Sequence, residues 1–493
     1  MNKLDSKKIM NGLLLLTLLP LLFIDINAFH NWGDDFAQYL WQAADLVHAK
    51  NLNEQPMFDL QNIAPLNRGS GFSLMLSALY ALFGLNMQAF LILISCTLVA
   101  LALVLYRFYC RQLPFKSAHY LALILVLMIV YNRHVLFLKT EVLPVFPMMA
   151  LLYLCLTIYH GQQSKRIWLL AICSGVLLSM ANVAWVFYLS VFLMQVILFK
   201  NKPSKSLMLE TLILLLVPLF VYTAIKSIVF KTLHTDDISW YQGVFSIQSF
   251  GTVLKGNLIY YKDVFFLSFD QDIWFVFNKG IKLLMLVLVS SGFYYKVKSK
   301  FRVEDLFFIL YLMLLLVYPD NGSGIRFLMP LIPLVLLYSA FGCRFILDQF
   351  TIQKHQWVLL LYACVLLSYS QNIKQNIHAY AQLSEGPYEK EAVASFNFIR
   401  DSTDQKSAVA FFKPWTIQLY ADRAAMPISS KQTFEEIKTK MLLNGVNYIL
   451  FSLKSSPPEI YNATAMQQTE NDQSFRCVYQ NQHFKLFCFK PAL

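Results

Sequence analysis

The stretch Gly69-Ser-Gly-Phe-Ser-Leu-Met-Leu-Ser-Ala-Leu-Tyr-Ala-Leu-Phe-Gly84 decides the fold, because it is apolar enough for a membrane span and its crossing or not crossing orients everything after it. If it crosses, the Arg107/Arg111/Lys116 cluster and every later basic cluster face outward. If it stays on one side, that cluster falls inside, together with Lys165/Arg166, Lys200/Lys202/Lys205, Lys296/Lys298/Lys300/Arg302 and Arg344/Lys354. Short inner loops carry the excess of Lys and Arg in membrane proteins. The sequence therefore predicts that 69–84 is an outer-face juxtamembrane or re-entrant helix and that the N-terminus is cytoplasmic.

Around this stretch the composition is that of a polytopic membrane protein. Of 493 residues, 57% are hydrophobic and 14% charged, against about 25% charged in soluble domains; mean hydropathy is +0.50. Apolar runs of roughly 20 residues lie at 10–27, 87–106, 117–134, 142–160, 166–182, 183–199, 207–230, 279–295, 304–318, 326–345 and 355–371. The first follows Lys3, Lys7 and Lys8 with no small-residue cleavage site after it, so it reads as a retained span rather than a signal peptide. The fold class expected is an α-helical polytopic membrane domain, residues 1–371, of about 11–12 transmembrane helices, followed by a small soluble α/β domain, residues 372–493. The net charge of +12 belongs to the inner loops, which argues against nucleic acid as a partner. The bacterial inner membrane is the expected location, with the C-terminal domain outside. The outer face then receives 28–86, 131–141, 231–278, 319–326 and the tail.

The tail is more polar. Pro387–Arg400 and Thr433–Asn444 have helical periodicity, the second ending at Gly445, the residue type usual after a helix. Ala408–Phe412 and Val446–Ser452 read as strands, and Phe475–Tyr479 with Phe484–Phe489 as a hairpin. A two-residue turn at Gln482-His483 would set Cys477 opposite Cys488. Those two either form a disulfide in an oxidising compartment or pack as reduced small side chains. Six other cysteines lie in or beside apolar runs and read as packing residues. Neither a Gly-x-Gly-x-x-Gly nor a P-loop is present, so nothing is built for a nucleotide.

Four polar features share the outer face. They are Asp34-Asp35 after the first span, Asn67-Arg68-Gly69-Ser70-Gly71, Lys139-Thr140-Glu141, and Asn321-Gly-Ser-Gly-Ile-Arg326. Ionisable groups beside apolar spans often mark substrate paths. Each also has a plainer reading: a solvated acidic turn, arginines snorkelling to lipid phosphates, a glutamate at a helix start.

Taken in order, Asp34-Asp35, the Gly71–Gly84 helix, Glu141 before Pro144, and Ile325-Arg-Phe-Leu-Met-Pro-Leu-Ile-Pro333 resemble the GT-C membrane glycosyltransferases. Within that class the chain is similar to the protein O-mannosyltransferase and lipid A aminoarabinose transferase branch. The resemblance covers most of the chain and implies a polyprenyl-phosphate sugar donor, a lipid, glycan or protein acceptor, reaction on the non-cytoplasmic face, and inversion at the anomeric carbon. It implies Asp34 as general base. The family's second acid is glutamate, where this chain has the shorter Asp35. Glu141 matches a further family acid that positions the acceptor or binds a cation, so Asp34 and Glu141 are the residues any divalent cation would use. Arg68-Gly69-Ser70 departs from the prolines many relatives carry, and Asn182 stands near where some carry lysine.

The chemistry agrees with that assignment. A lipid-linked phosphate leaves without protonation, unlike the leaving group of a glycoside hydrolase. One base and one cationic site suffice, with Arg326 and Arg68 the candidates for the donor phosphate, since a guanidinium pairs two oxygens and stays charged. The 231–278 loop, with Asp236, Asp237, Lys255 and Lys262, is either a lid or a solvated connector. The competing reading is a non-enzymatic transporter or flippase of lipid-linked saccharides. Such proteins show paired halves with broken helices and mid-membrane charge, and neither stands out here.

Overall fold

The computed structural model describes residues 12 and 32 and residues 34–48, 70–113, 145–160, 166–181, 184–201, 204–229, 250–267, 275–318, 324–347, 386–454 and 462–490. The expected spans at 10–27, 117–134 and 355–371 lie outside these residues, apart from Gly12, and so do Arg68, Glu141 and Asn182.

The membrane part is built from α1 (Asp34–His48), α2 (Ser70–Phe83), α3 (Met87–Cys110), α4 (Val145–Tyr159), α5 (Ile167–Met180), α6 (Ala184–Asn201), α7 (Lys205–Val229), α8 (Phe250–Leu267), α9 (Phe275–Ser299), α10 (Val303–Val317) and α11 (Ile332–Leu347). Among the described residues three helices are long and apolar enough to cross a membrane, Met87–Cys110, Lys205–Val229 and Met329–Ile346; Ser70–Phe83, Val145–Tyr159, Ile167–Met180 and Ala184–Lys200 are shorter apolar helices. The start of α3 is fixed by Asn86, whose side chain accepts from the Gln88 and Ala89 amides, groups that have no partner inside the helix. Helices α9 and α11 touch backbone to backbone. A Cβ on Gly292 would overlap the Tyr338 carbonyl, and one on Gly342 the Leu288 carbonyl, the small-residue contact typical of membrane helix pairs.

The path of 69–84 follows from what its neighbours bond to. Arg111, just past α3, donates to the Thr157 carbonyl near the end of α4, and Arg166, at the start of α5, lies within electrostatic reach of Arg111. Lys296 and Glu304 join this end through His160. The basic loops thus gather at one end of the bundle. Ser70 instead donates to the carbonyl of Ser179, 3.2 Å away, at the far end of α5. Helix α2 therefore begins at the end opposite the basic loops. It finishes beside Asn86, from which α3 runs back to the basic end. Helix α2 thus starts and finishes toward the same end of the bundle. Its 14 residues rise only about 21 Å, although α5 is no longer, so the bonding rather than the length carries this conclusion.

The expected 231–278 loop contains α8, which packs on α10, and its boundary moves because α9 begins at Phe275. Helix periodicity there is interrupted by Lys255, Lys262 and Asp263, which reads as a polar connector without the tertiary partner.

The C-terminal unit has α12 (Lys390–Ser402), β1 (Ala408–Phe411), α13 (Pro414–Ala421), β2 (Ala424–Pro427), α14 (Phe434–Asn444), β3 (Tyr448–Ser452), α15 (Ala463–Asn471), β4 (Phe475–Gln480) and β5 (Phe484–Phe489). Strand order is β2-β1-β3-β5-β4, with β1 parallel to β2 and β3, and β5 antiparallel to β3 and β4. Alternate residues of one strand enter different cores. Val409 and Phe411 meet α12 and α13 through Phe396, Ile399 and Ile417, while Ala408 and Ala410 join Phe434, Ile437 and Met441 of α14. Both faces are covered, which is why these strands read as continuous apolar runs. Thr433 and Glu436 form a capping box, and Gly445 ends α14 with φ 64°, as the sequence predicts. Strand β2, α13 and α15 are additional to the elements expected.

The hairpin corrects one expectation. Gln482-His483 is its two-residue loop, flanked by the Asn481 amide donating to the Phe484 carbonyl at 3.0 Å. A bulge between Cys477 and Tyr479 then shifts the register by one, pairing Cys477 with Phe487 and Arg476 with Cys488. Neighbouring residues of a strand face opposite sides, so the two sulfurs diverge. Cys477 and Cys488 are free.

Candidate functional site

Asp34 and Asp35 are the first two residues of α1. Past them the helix carries Gln38, Gln42 and Asp45 at spacings of four and three, one stripe of an α-helix. A polar stripe of this kind is ordinarily the solvated side of an amphipathic helix. It is instead buried, with exposures of 2%, 0% and 4%.

Two partners account for that burial. Helix α2 receives the polar stripe, with Ser73 Oγ donating to Gln42 Oε1 at 2.6 Å. Tyr39 meets Phe72 at 5.2 Å and His48 meets Tyr80 at 5.8 Å between ring centroids. These contacts advance in the same direction along both helices, so α1 and α2 run parallel. The Asp34 end of α1 accordingly lies beside the Ser70 end of α2. Burial, and after it the charge of Asp45, hold the Tyr80 phenol above its ordinary pKa. At Gly71 a Cβ would overlap Ser179 Oγ. This glycine serves a close helix approach.

The other partner is the C-terminal unit. Trp41 lies 5.3 Å from Trp415 of α13, and Ala37 completes that contact. Two residues before Asp34, Trp32 is buried in the C-terminal core, edge-on to Phe396, Phe411, Phe412 and Phe484 at 5.3–6.4 Å. The start of α1 is therefore held between a membrane-domain helix and the soluble sheet.

Arg326 lies in a separate element, the 3-10 turn Gly324–Phe327, followed by a second such turn at Met329–Leu331. It is half-buried, and its guanidinium carbon sits 5.5 Å from the Phe327 ring centre. Pro330 and Pro333 interrupt the helical ladder here because proline has no N–H to donate. Tyrosine hydroxyls bond to carbonyls of these turns and of the start of α11. Tyr153 donates to Pro330 at 2.8 Å, Tyr109 to Pro333 at 2.9 Å and Tyr311 to Phe327 at 2.9 Å. The main packing of the Arg326 turn is with α8 and with the second 3-10 turn; that of α1 is with α2 and α13.

Two charged clusters lie elsewhere. At the basic end, Lys296 Nζ is 2.9 Å from Glu304 Oε1 and 2.6 Å from Asp305 Oδ1; Tyr338 donates to Asp305 at 2.8 Å, and His160 Nε2 is 2.9 Å from Glu304 Oε2. In the C-terminal unit, ligand atoms of Glu389, Glu391 and His483 lie within 4.8 Å of one another, close enough to share a metal ion. Lys454 Nζ, 2.8 Å from Glu389 Oε2, already supplies a cation, and His483 Nδ1 is 2.9 Å from Glu389 Oε1. These distances describe an ion-pair cluster.

Sequence reasoning singled out Asp34-Asp35 and Arg326 and gave no sign of Trp32, Gln42, Ser73 and Trp415. Spacing marks the polar stripe; no local signal marks it as buried, because its cover is a separate helix, Ser73 standing 31 residues from Gln42.

No family model matches the chain, and no curated protein matches it in sequence. Solved structures do. The structure of ArnT from Cupriavidus metallidurans bound to undecaprenyl phosphate matches with TM-score 0.54 and 11% identity, over 97% of this chain and 98% of that one. The oligosaccharyltransferase of Archaeoglobus fulgidus in the apo form matches with TM-score 0.53 and 12% identity, over 90% and 70%. Its complex with Zn and sulfate matches with TM-score 0.50 and 13% identity, over 89% and 68%. The chain shares the fold of these ArnT and oligosaccharyltransferase structures. The resemblance read from the sequence holds at this level, as does the expected helical membrane domain with a small C-terminal α/β unit.

Proposed function

We propose that the chain is an integral-membrane glycosyltransferase that moves a sugar from a polyprenyl-phosphate donor to a lipid, glycan or protein acceptor. The observation that carries this reading is the match, over nearly the whole of both chains, to a structure holding undecaprenyl phosphate. Asp34 is the general base that takes the acceptor hydroxyl's proton, a role worth about 10²–10⁴-fold when the base is positioned. The acceptor oxygen attacks the anomeric carbon as the carbon–phosphate-oxygen bond breaks, with inversion. Arg326 neutralises the departing phosphate, helped by Arg68, which precedes Ser70 by two residues at the end of α2 that lies beside the start of α1. Fixed cationic groups act most strongly where charge develops and water is excluded.

Asp35 is the neighbouring acid, and Glu141 positions the acceptor. No step runs through a cation; Asp34 and Glu141 are the carboxylates that would hold one. The reaction side is the non-cytoplasmic face of a bacterial inner membrane, with the N-terminus inside and residues 372–493 outside. That orientation places the basic end of the bundle in the cytoplasm.

Binding tests the donor assignment. Purified protein in lipid nanodiscs is titrated with undecaprenyl phosphate. Wild type is expected to bind and Arg326→Ala to bind at least about tenfold more weakly, the loss of one charge-assisted contact. Equal binding by the two removes Arg326 from the donor site.

A further inference from the structure

Among the described residues of 231–278, one buried polar side chain stands outside the proposed reaction. Asn257, on α8, is 1% exposed. Its amide nitrogen donates to the carbonyls of Leu315 at 3.2 Å and Leu316 at 3.0 Å, and also to that of Tyr318. These are the terminal carbonyls of α10, which have no acceptor role left inside the helix. Tyr318 is extended, φ −71° and ψ 126°, as a residue before proline must be, and Pro319 follows it. Five residues separate Tyr318 from the Gly324–Phe327 turn that carries Arg326. The far side of that turn is held by Tyr311 on the Phe327 carbonyl, and Tyr318 packs edge-on against Phe327 at 5.7 Å.

We propose that Asn257 is a positioning residue for Arg326: by capping the end of α10 from a neighbouring helix, it fixes where the Arg326 loop departs and hence where the guanidinium lies. This rests on the reading of Arg326 as the donor-phosphate contact. An amide nitrogen carries two hydrogens for three acceptors, so one bond is shared. Charge and shape make opposite demands on a substitution here. Aspartate matches asparagine in size yet turns an acceptor toward three carbonyls; alanine merely removes the donor.

The test uses full-length protein in nanodiscs, with Asn257→Ala and Asn257→Asp. Hydrogen exchange over 318–327 reads the loop directly. Exchange is expected to rise about tenfold in the alanine variant, the loss of roughly one net buried hydrogen bond, and further in the aspartate variant. An unchanged rate in Asn257→Ala, or a smaller rise with aspartate than with alanine, overturns the proposal. The alanine variant decides alone if the aspartate variant does not fold.

A second arm separates positioning from general support. Undecaprenyl phosphate affinity should fall about tenfold in Asn257→Ala and fall no further when that change is added to Arg326→Ala, since contacts acting through one residue do not add. Additive losses overturn the role through Arg326. Failure of wild type to bind undecaprenyl phosphate would instead defeat the donor assignment, while the exchange rates still decide the loop.

Discussion

Lys296 is 3% exposed and faces two carboxylates that are fully buried. Removing such a cation leaves charge in a medium that cannot solvate it, which costs about 3–5 kcal/mol. Lys296→Met is accordingly expected to lower the thermal midpoint in detergent far more than Lys298→Met on the same helix; equal shifts would mean that the cluster is solvated. Trp32 makes the same point for an apolar group. Trp32→Ala removes the indole from a core whose other members lie beyond residue 390. A loss of about 3–5 kcal/mol is expected, read as increased exchange in β1 and β5. Unchanged exchange there would show that the sheet holds without it. Neither role was legible in sequence. Lys296 stands among basic loop residues and Trp32 in an outer loop, and only distant partners show that both are buried.

Elements were legible where local rules dominate. The Gly445 stop and the Gln482-His483 turn are both written in adjacent residues, and the structure carries both. Register was not, because a β-bulge is one extra residue that no composition marks. Val478 is that residue, since pairing resumes at Tyr479. Deleting Val478 should leave a regular ladder in which Cys477 still faces Phe487 and Arg476 still faces Cys488. Thiol counting after mild oxidation is then expected to match the unaltered protein. Two fewer free thiols would place the irregularity elsewhere. The helix α8 was missed for a related reason, as its lysines and aspartate mask the apolar face that meets α10.

At the scale of the molecule, the distribution of basic residues fixed which loops belong together, and the hydrogen bonds of Ser70 and Arg111 place the two ends of the bundle accordingly. The candidate site was legible in part. Asp34 and Arg326 stood out as polar groups between apolar runs. The closure of the site did not, because α1 is clasped by α2 on one side and by α13 on the other, contacts spanning almost four hundred residues. Asp34 is proposed as the base of a polyprenyl-phosphate-dependent sugar transfer. That role is tested by following lipid-linked sugar in membranes of cells carrying wild type or Asp34→Asn, by mass spectrometry of lipid extracts, with undecaprenyl phosphate binding as the folding control. Wild type should consume the lipid-linked sugar, and Asp34→Asn should leave it accumulated while still binding undecaprenyl phosphate. Consumption by Asp34→Asn at the wild-type rate would contradict the claim.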